Sequence, residues 1–261
     1  VAVIETDEEV VVMREGEEGV GRARGAIPLA GLRYVNPTPD LSGIGTAYKG
    51  RFTLSSAWVR GNSESSTSLV ETAVEARALR YRWEAGLAAK QAEESGAETA
   101  SSWLARANYD RFIAPKRFLY GRGSVESDRF SGVDLRTTIG AGYGWQLRED
   151  ERTQLSLRGG IEAVIAEPVD GPREEHPAFG WGVQFSRKLL DLRAEVFHEQ
   201  DGYWSLEDAG DVTLRTRTGL RVPLIEGLTA TAQLNVDWEN QPEPGREATD
   251  ATLLLGVGYD W

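Results

Sequence analysis

The sequence predicts an all-β protein, an antiparallel transmembrane β-barrel of about twelve strands with a short N-terminal periplasmic extension. Three observations support this prediction. Segments of roughly 10 to 14 residues alternate between apolar and polar side chains, a length that spans a bilayer when a strand is tilted. The connections alternate between long and short, and the alternating last segment ends on an aromatic residue, Trp261. We therefore assign residues 1–46 to the N-terminal segment and residues 47–261 to the barrel.

Composition narrows the class of protein before any motif is considered. The formal net charge of -12 argues against a nucleic-acid partner, because phosphate binding needs a surplus of Lys and Arg. No run of about 18 apolar residues is present, which excludes a spanning helix but not spanning strands. The absence of cysteine fits an oxidising compartment such as the periplasm and outer membrane.

The N-terminal segment differs from the rest of the chain. An acidic stretch from Asp7 leads into Val10, Val11 and Val12, and Asn36-Pro37-Thr38-Pro39 follows, which predicts a small hairpin and a linker. A basic region followed by an apolar core is absent at Val1. We therefore expect a mature bacterial outer-membrane protein from which a signal peptide has been removed.

The alternation is clearest over the last two segments. From Leu228 to Trp238, apolar residues alternate with Thr, Gln, Asn and Asp at every step. From Asp250 to Trp261 the pattern repeats, and Leu254 alone interrupts the polar face. A soluble β-sandwich also alternates and remains the alternative, with aromatic residues in its core.

The lengths of the connections favour the barrel over the sandwich. Long connections are predicted at 61–66, 91–100, 127–134, 167–177, 199–211 and 240–250, and short ones near residues 79–80, 114–116, 149–150, 190–191 and 225–227. Long loops on one side and tight turns on the other are typical of outer-membrane barrels, and an even strand number puts both chain ends on the short-turn, periplasmic side.

Aromatic residues occur where two membrane-interface girdles are expected. We place Trp83, Tyr109, Tyr143, Trp145, Tyr259 and Trp261 toward the periplasmic end, and Trp58, Trp181 and Trp238 toward the outside. Tyr259 and Trp261 share one face of the last strand and resemble the C-terminal signal that barrel-assembly machinery recognises.

Charged residues of both signs fall on the face that the alternation turns into the lumen. They are Glu71, Glu75, Arg77, Arg82, Glu84, Lys90, Arg106, Arg136, Arg158, Glu162, Arg193, Glu195, Arg215, Arg217 and Arg221. Either they line a hydrated pore that selects solutes by charge, or they pair across strands and fill the lumen. A twelve-stranded barrel is intermediate between a filled small barrel and a wide porin.

The predicted register fails in one place. Phe118 and Tyr120 suggest an outward face, but its continuation would put Arg122 and Glu126 in lipid. An arginine at the bilayer midplane costs roughly 2 to 4 kcal/mol. We therefore expect a glycine bulge near Gly121 or Gly123 that switches the two faces.

Residues that could carry chemistry are few. His176 lies in a predicted loop and His198 near a strand end, and neither has the spacing of a metal site or a hydrolytic triad. We predict no catalytic residues, no metal site and no cofactor. A lipid-modifying enzyme would need a hydroxyl partner for His198 from a neighbouring strand.

Several motifs are similar to those of a known family: Gly61-Asn62-Ser63-Glu64, Tyr109-Asp110-Arg111-Phe112, 116–121, 128–136 and 140–145. The chain from Tyr48 to Trp261 resembles the YdiY-like, salt-induced outer-membrane proteins, a family named as a domain of unknown function. The resemblance implies an outer-membrane barrel and assigns no catalytic residues.

We therefore expect a non-enzymatic outer-membrane barrel with a structural or docking role in the cell envelope. The alternatives are a narrow channel for ions or small solutes and, from a third class, the lipid-modifying enzyme. The expected partners are outer-membrane lipids and lipopolysaccharide, the barrel-assembly machinery through the C-terminal strand, and an envelope protein complex through residues 1–46.

Overall fold

The computed structural model describes the backbone of residues 2–5, 9–14 and 22–28, and residues 45–59, 65–128, 130, 132–150, 152–189, 193–242 and 247–261. Near the N-terminus, β1 (Ala2–Glu5), β2 (Glu9–Arg14) and β3 (Arg22–Pro28) form a three-stranded antiparallel sheet. This sheet has one strand more than the predicted hairpin. The predicted linker around residues 36–39 lies outside the described residues.

The other twelve strands form a closed barrel in which every pair is antiparallel. The predicted twelve-stranded transmembrane fold is therefore confirmed. The strands are β4 (Ala47–Val59), β5 (Ser65–Ala78), β6 (Tyr81–Glu94), β7 (Ala97–Ala114), β8 (Arg117–Asp128), β9 (Val133–Glu149), β10 (Thr153–Pro168), β11 (Glu174–Leu189), β12 (Ala194–Ser205), β13 (Val212–Ile225), β14 (Leu228–Glu239) and β15 (Thr249–Asp260).

Burial in this barrel is inverted relative to a soluble protein. The apolar residues Ile139, Leu253 and Leu255 point outward and are 61%, 64% and 65% exposed. Phe118 and Leu254 point inward and are 0% and 1% exposed. An outward apolar belt around a polar interior is the arrangement that lipid selects.

No helix among the residues that the structure describes combines the length and the apolar character needed to span a bilayer.

The connections at the two ends differ, and two predicted long loops are shorter than expected. The loop predicted at 199–211 begins only after Ser205, where β12 ends. The predicted long loop at 91–100 is a two-residue turn, because β6 and β7 continue to Glu94 and from Ala97. Ser95 and Gly96 have φ angles of 51° and 81°. Two consecutive positive φ angles are typical of a hairpin turn that matches strand twist.

The turn at the start of β10 is held by one carboxylate. The Asp150 side chain accepts hydrogen bonds from Arg148 Nε at 2.6 Å and from the backbone N–H groups of Thr153 and Arg152 at 2.8 and 3.0 Å. The Arg148 hydrogen bond, followed by the two backbone donors, lowers the pKa of Asp150 below its ordinary value.

The expected glycine bulge near Gly121 is wrong. The β8 ladders with β7 and β9 run without interruption from Phe118 to Glu126. Phe118 and Tyr120 point inward, on the same face as Arg122 and Glu126, while Leu119 is the outward residue and is 50% exposed. The error lay in assuming that aromatic side chains face the lipid.

The seam between β15 and β4 is the shortest ladder in the barrel. It contains six residue pairs, from Leu255–Ser56 to Asp260–Arg51, whereas β12 and β13 share ten. Two backbone hydrogen bonds between Trp261 and Gly50, of 2.9 and 3.1 Å, extend it at the short-turn end. The C-terminal residue is therefore part of the closure of the barrel.

Candidate functional site in the barrel lumen

The lumen is crossed by ion pairs at successive levels, because alternation turns every second side chain of each strand inward. Strand β12 presents Glu195, Glu199 and Asp201 in order from the short-turn end. Strand β13 runs the other way and presents Arg215, Arg217 and Arg221. These residues divide the lumen into an inner, a middle and an outer level.

The middle level joins opposite walls directly. Arg106 of β7 donates to Glu199 of β12 over 3.2 Å, although these strands are five positions apart in the barrel. Arg217 of β13 approaches Glu71 of β5 to 3.0 Å across four strand positions. Arg122 of β8 donates to Asp201 over 3.0 Å. These three pairs therefore cross the lumen at one level.

The outer level is centred on Glu126 of β8. Its carboxylate accepts hydrogen bonds from Arg215 Nη2 at 3.0 Å and from Arg136 Nη1 at 3.1 Å. Arg215 lies on β13, five strand positions from β8. One carboxylate therefore connects two arginines and both walls.

The inner level lies toward the short-turn end. Arg51 pairs with Asp260 across the seam, and Arg221 donates to Glu195 over 2.8 Å. Arg77 pairs with Glu149 at the rim through two hydrogen bonds of 3.1 and 3.2 Å. The Arg51–Asp260 and Arg221–Glu195 pairs join neighbouring strands, whereas Arg77–Glu149 joins β5 to β9, four strand positions apart.

The most deeply buried group in the lumen surrounds Asp110. Arg82 Nε donates to Asp110 Oδ2 over 2.8 Å, and Arg82 Nη1 donates to Gln146 over 3.0 Å. Arg158 reaches across to Glu84 of β6 at 3.2 Å. Asp110 is 0% exposed, and its Oδ1 atom has no hydrogen-bond partner among the described residues. Two arginines therefore compensate a carboxylate that water does not reach.

Aromatic rings pack beside this buried group. Phe112 and Phe118 have ring centroids 5.3 Å apart, and Tyr120 completes the cluster. The Arg82 guanidinium lies 5.4 Å from the Phe118 ring centroid, and that of Arg158 lies 5.9 Å from that of Tyr120. Cation–π contacts of this length stabilise desolvated arginines.

Glycines on adjacent strands make room for these side chains. A Cβ atom at Gly144 would lie 2.1 Å from the Phe118 ring, and one at Gly180 would meet the Glu162 carboxylate. A Cβ at Gly160 would lie 2.2 Å from the carbonyl oxygen of Ala141. The repeated glycines of β9 to β11 are therefore required for packing of the lumen.

Cavities remain around the ion pairs. The largest, about 500 Å³, lies at the short-turn end between Glu75, Lys188 and Trp261. Two smaller cavities of about 120 and 100 Å³ share Arg106, Arg217 and Glu199 as lining residues. Arg106 and Glu199 also line the largest cavity, so this pair lies beside all three spaces.

The structure turns most of the predicted lumen charges inward. They are Glu71, Glu75, Arg77, Arg82, Glu84, Lys90, Arg106, Arg136, Arg158, Glu162, Glu195, Arg215, Arg217 and Arg221. Arg193 is an error, because β12 begins at Ala194 and Arg193 is exposed in the preceding turn. The prediction missed Arg51, Asp110, Arg122, Glu126, Glu199 and Asp201, which carry much of the network.

Six of the nine predicted interface aromatics form three contacting pairs near the short-turn end. Ring centroids are 4.4 Å apart for Trp83 and Tyr109, 4.7 Å for Tyr143 and Trp145, and 6.3 Å for Tyr259 and Trp261. At the other end, Trp58 is 70% exposed and Trp238 is half-buried. Trp181 lies over the Cα of Gly202.

The two histidines lie far apart in the barrel. His198 Nδ1 is 2.7 Å from Thr218 Oγ1, on the outward face of β12 and β13. His176 Nε2 is 3.7 Å from Asp211 at the outer end. Among the described residues, no group of three His, Asp or Glu side chains is placed to hold a metal ion.

Comparison with known proteins identifies the family. The sequence profile of the family described as "Protein of unknown function, DUF481" matches residues 52–261. The chain belongs to this family. YdiY of Escherichia coli (strain K12), described as an uncharacterized protein, is 25% identical over 207 residues, which cover 76% of this chain and 77% of YdiY. The resemblance expected from the motifs is therefore confirmed for this DUF481 protein.

Solved structures with similar folds are outer-membrane barrels. The NanC porin has a TM-score of 0.50 and 10% identity, and covers 82% of this chain and 99% of NanC. The translocator domain of the autotransporter NalP from Neisseria meningitidis has a TM-score of 0.46 and 15% identity, and covers 82% and 88% of the two chains. At 10% identity, the likeness to NanC concerns the fold alone. This barrel fold agrees with an outer-membrane location.

Proposed function

We propose that this DUF481 protein is a non-enzymatic outer-membrane barrel with a structural or docking role in the envelope, and that its lumen does not conduct. The observation that carries the proposal is the set of ion pairs that join opposite walls at the middle and outer levels. Two of these pairs, Arg106–Glu199 and Arg217–Glu71, cross the middle level of the lumen between different strands.

Charge balance supports a filled lumen. A pore that selects by charge needs ionised side chains whose field is free to act on the solute. Here the long arginines meet carboxylates at 3.0 to 3.2 Å, as in Arg122–Asp201 and Arg158–Glu84. Their fields cancel locally, and an ion that enters must separate a pair or displace it.

The docking role rests on the N-terminal segment. Strands β1 to β3 form their own sheet. The chain enters the barrel wall at Ala47, at the short-turn end where the cavity of about 500 Å³, here called the vestibule, lies. A barrel that does not conduct has no need of this sheet for transport. We infer that residues 1–46 recognise an envelope partner on the periplasmic side.

The decisive experiment is conductance of the purified, folded protein in planar bilayers. We expect no steady conductance from the full chain. The double variant Arg106→Ala, Arg217→Ala removes two of the three crossing arginines of the middle level and should conduct. Arg173→Ala, a matched exposed arginine of the outer loop, should remain silent. Steady conductance of the full chain would refute the closed lumen.

A second candidate, a narrow channel for ions or small solutes, is favoured by the cavities on both sides of the middle level. The vestibule of about 500 Å³ offers charged lining residues of both signs. This candidate predicts that Arg215→Gln or Arg217→Gln changes the conductance or ion selectivity of the full chain. Conductance that appears only after removal of residues 1–46 would instead make that segment a plug.

A further inference from the structure

The short-turn rim of the barrel carries a group of exposed cations, here called the basic arc. Its members extend from the β5–β6 turn to the end of β11, which is half of the barrel circumference. All of them are exposed. The basic arc consists of Arg80, Arg111, Lys116, Arg117 and Arg187.

Two members of the basic arc lie next to aromatic side chains of the outward face. Arg111 is the cross-strand partner of Tyr81, and Arg117 is the partner of Trp145. The Tyr143–Trp145 ring pair lies directly beside Arg117. Aromatic side chains gather at the depth of lipid headgroups, so these guanidinium groups lie at or just beyond that depth.

Two described carboxylates near the basic arc are paired with other arginines. Glu149 pairs with Arg77 and Asp150 with Arg148. No member of the basic arc forms an ion pair with a residue that the structure describes. Within the described part of the chain, the positive charge of the basic arc therefore has no carboxylate partner.

The rest of the barrel surface has a different character. On the opposite half of the same rim, Leu224, Ile225 and Trp261 are exposed, and they are apolar. At the other end of the barrel, exposed acidic residues predominate. They include Glu93, Glu94, Glu98, Glu174, Glu175, Glu207 and Asp208. Among the described residues, exposed cations without a carboxylate partner therefore concentrate at the short-turn end, whereas the exposed Lys49 of the opposite half pairs with Glu75.

We propose that the basic arc binds the phosphate headgroups of anionic phospholipids in the periplasmic leaflet of the outer membrane. Arginine forms paired hydrogen bonds with phosphate oxygens, and its aliphatic stem can lie along the apolar belt while its head reaches the interface. This proposal does not depend on whether the lumen conducts.

The test compares two brominated lipids as quenchers of tryptophan fluorescence. The full chain is folded into phosphatidylcholine vesicles that contain either brominated phosphatidylglycerol or brominated phosphatidylcholine. Trp83 and Trp145 lie in the girdle beside the basic arc and report on lipids held there. We expect the phosphatidylglycerol form to bind about fivefold more strongly, the effect of roughly one well-placed cation at an anionic surface.

The triple variant Arg111→Gln, Arg117→Gln, Arg187→Gln should lose the preference for phosphatidylglycerol. The corresponding triple lysine variant keeps the positive charges and should keep most of the preference, which excludes a folding defect as the cause of the loss. Arg173→Gln, in the outer loop, is the matched control and should keep it fully. Equal quenching of the wild type by both lipids would overturn the proposal. So would displacement of phosphatidylglycerol by inorganic phosphate at constant ionic strength, which would identify a soluble anion as the ligand.

Discussion

The two halves of the lumen solve the problem of inward charge differently. From β6 to β10, Arg82, Asp110 and Arg158 are packed against aromatic rings and excluded from water. From β12 round to β5, Arg217, Glu71 and their neighbours line cavities and are partly exposed. Both halves are paired, but only the first is packed.

The difference comes from the inward residues of the strands beside each set of charges. The packed half lies against inward glycines of β9 to β11, which leave space for the Phe118 and Tyr120 rings. The open half lies against Thr231 and Gln233, whose side chains occupy that space with polar atoms. The size of the inward residues therefore determines where the lumen is tightly packed and where cavities remain.

The largest expected effect is the removal of the buried carboxylate. Asp110→Ala leaves Arg82 buried without its ionic partner, which should lower the free energy of unfolding by about 3 to 5 kcal/mol. The control, Glu71→Ala in the open half, should cost about 1 kcal/mol, since water can reach the Arg217 that it leaves. Urea unfolding in detergent micelles, followed by tryptophan fluorescence, measures both. Equal losses would mean that the halves do not differ.

A smaller effect is expected from filling the glycine wall. Gly160→Ala brings a methyl group against the backbone of β9 and should destabilise the barrel by about 3 kcal/mol or less. Gly121→Ala is the control, because a Cβ there meets no atom within 4 Å. The same unfolding assay applies. If both alanine variants unfold at the same urea concentration as the wild type, the glycines are not needed for close packing of this half of the lumen.

The smallest effect is expected outside the lumen, at the Asp150 turn. Because the pKa of Asp150 is lowered in the folded protein, its carboxylate stabilises the folded turn at pH values above 3.8, the ordinary pKa of Asp. This stabilisation disappears as the pH falls through the lowered pKa. Asp150→Asn should therefore unfold at lower urea than the wild type at pH 7, and the gap should narrow toward pH 3. A gap that does not depend on pH would assign the loss to hydrogen bonding alone.

The fold was accessible from sequence because alternation and turn spacing report directly on the barrel wall. The lumen was only partly accessible. Residues 198–201 are polar at every position, since His198 and Gln200 on the outward face are polar too. The absence of alternation predicts a loop from residue 199, which hides Glu199 and Asp201. The same rule failed for Phe118, because apolar character does not distinguish lipid from a packed interior.

Partner choice within the lumen was beyond sequence reasoning for a different reason. The contact between Arg106 and Glu199 depends on which strands face each other across the barrel, which follows from closure and tilt. Alternation fixes the face of a residue but not its opposite wall. The glycines could have given a hint, because Gly140, Gly142 and Gly144 all fall on the inward face.

The short seam between β15 and β4 has a consequence for how the barrel opens and closes. Beyond Leu255–Ser56, the outer parts of these two strands share no ladder pairs within the described residues, so their backbone groups form an incomplete edge. We expect hydrogen exchange to be fastest along this line, and a strand from another polypeptide to find its easiest lateral entry there. The barrel wall is thus least complete along the outer part of this seam, while the backbone bonds between Trp261 and Gly50 close its short-turn end.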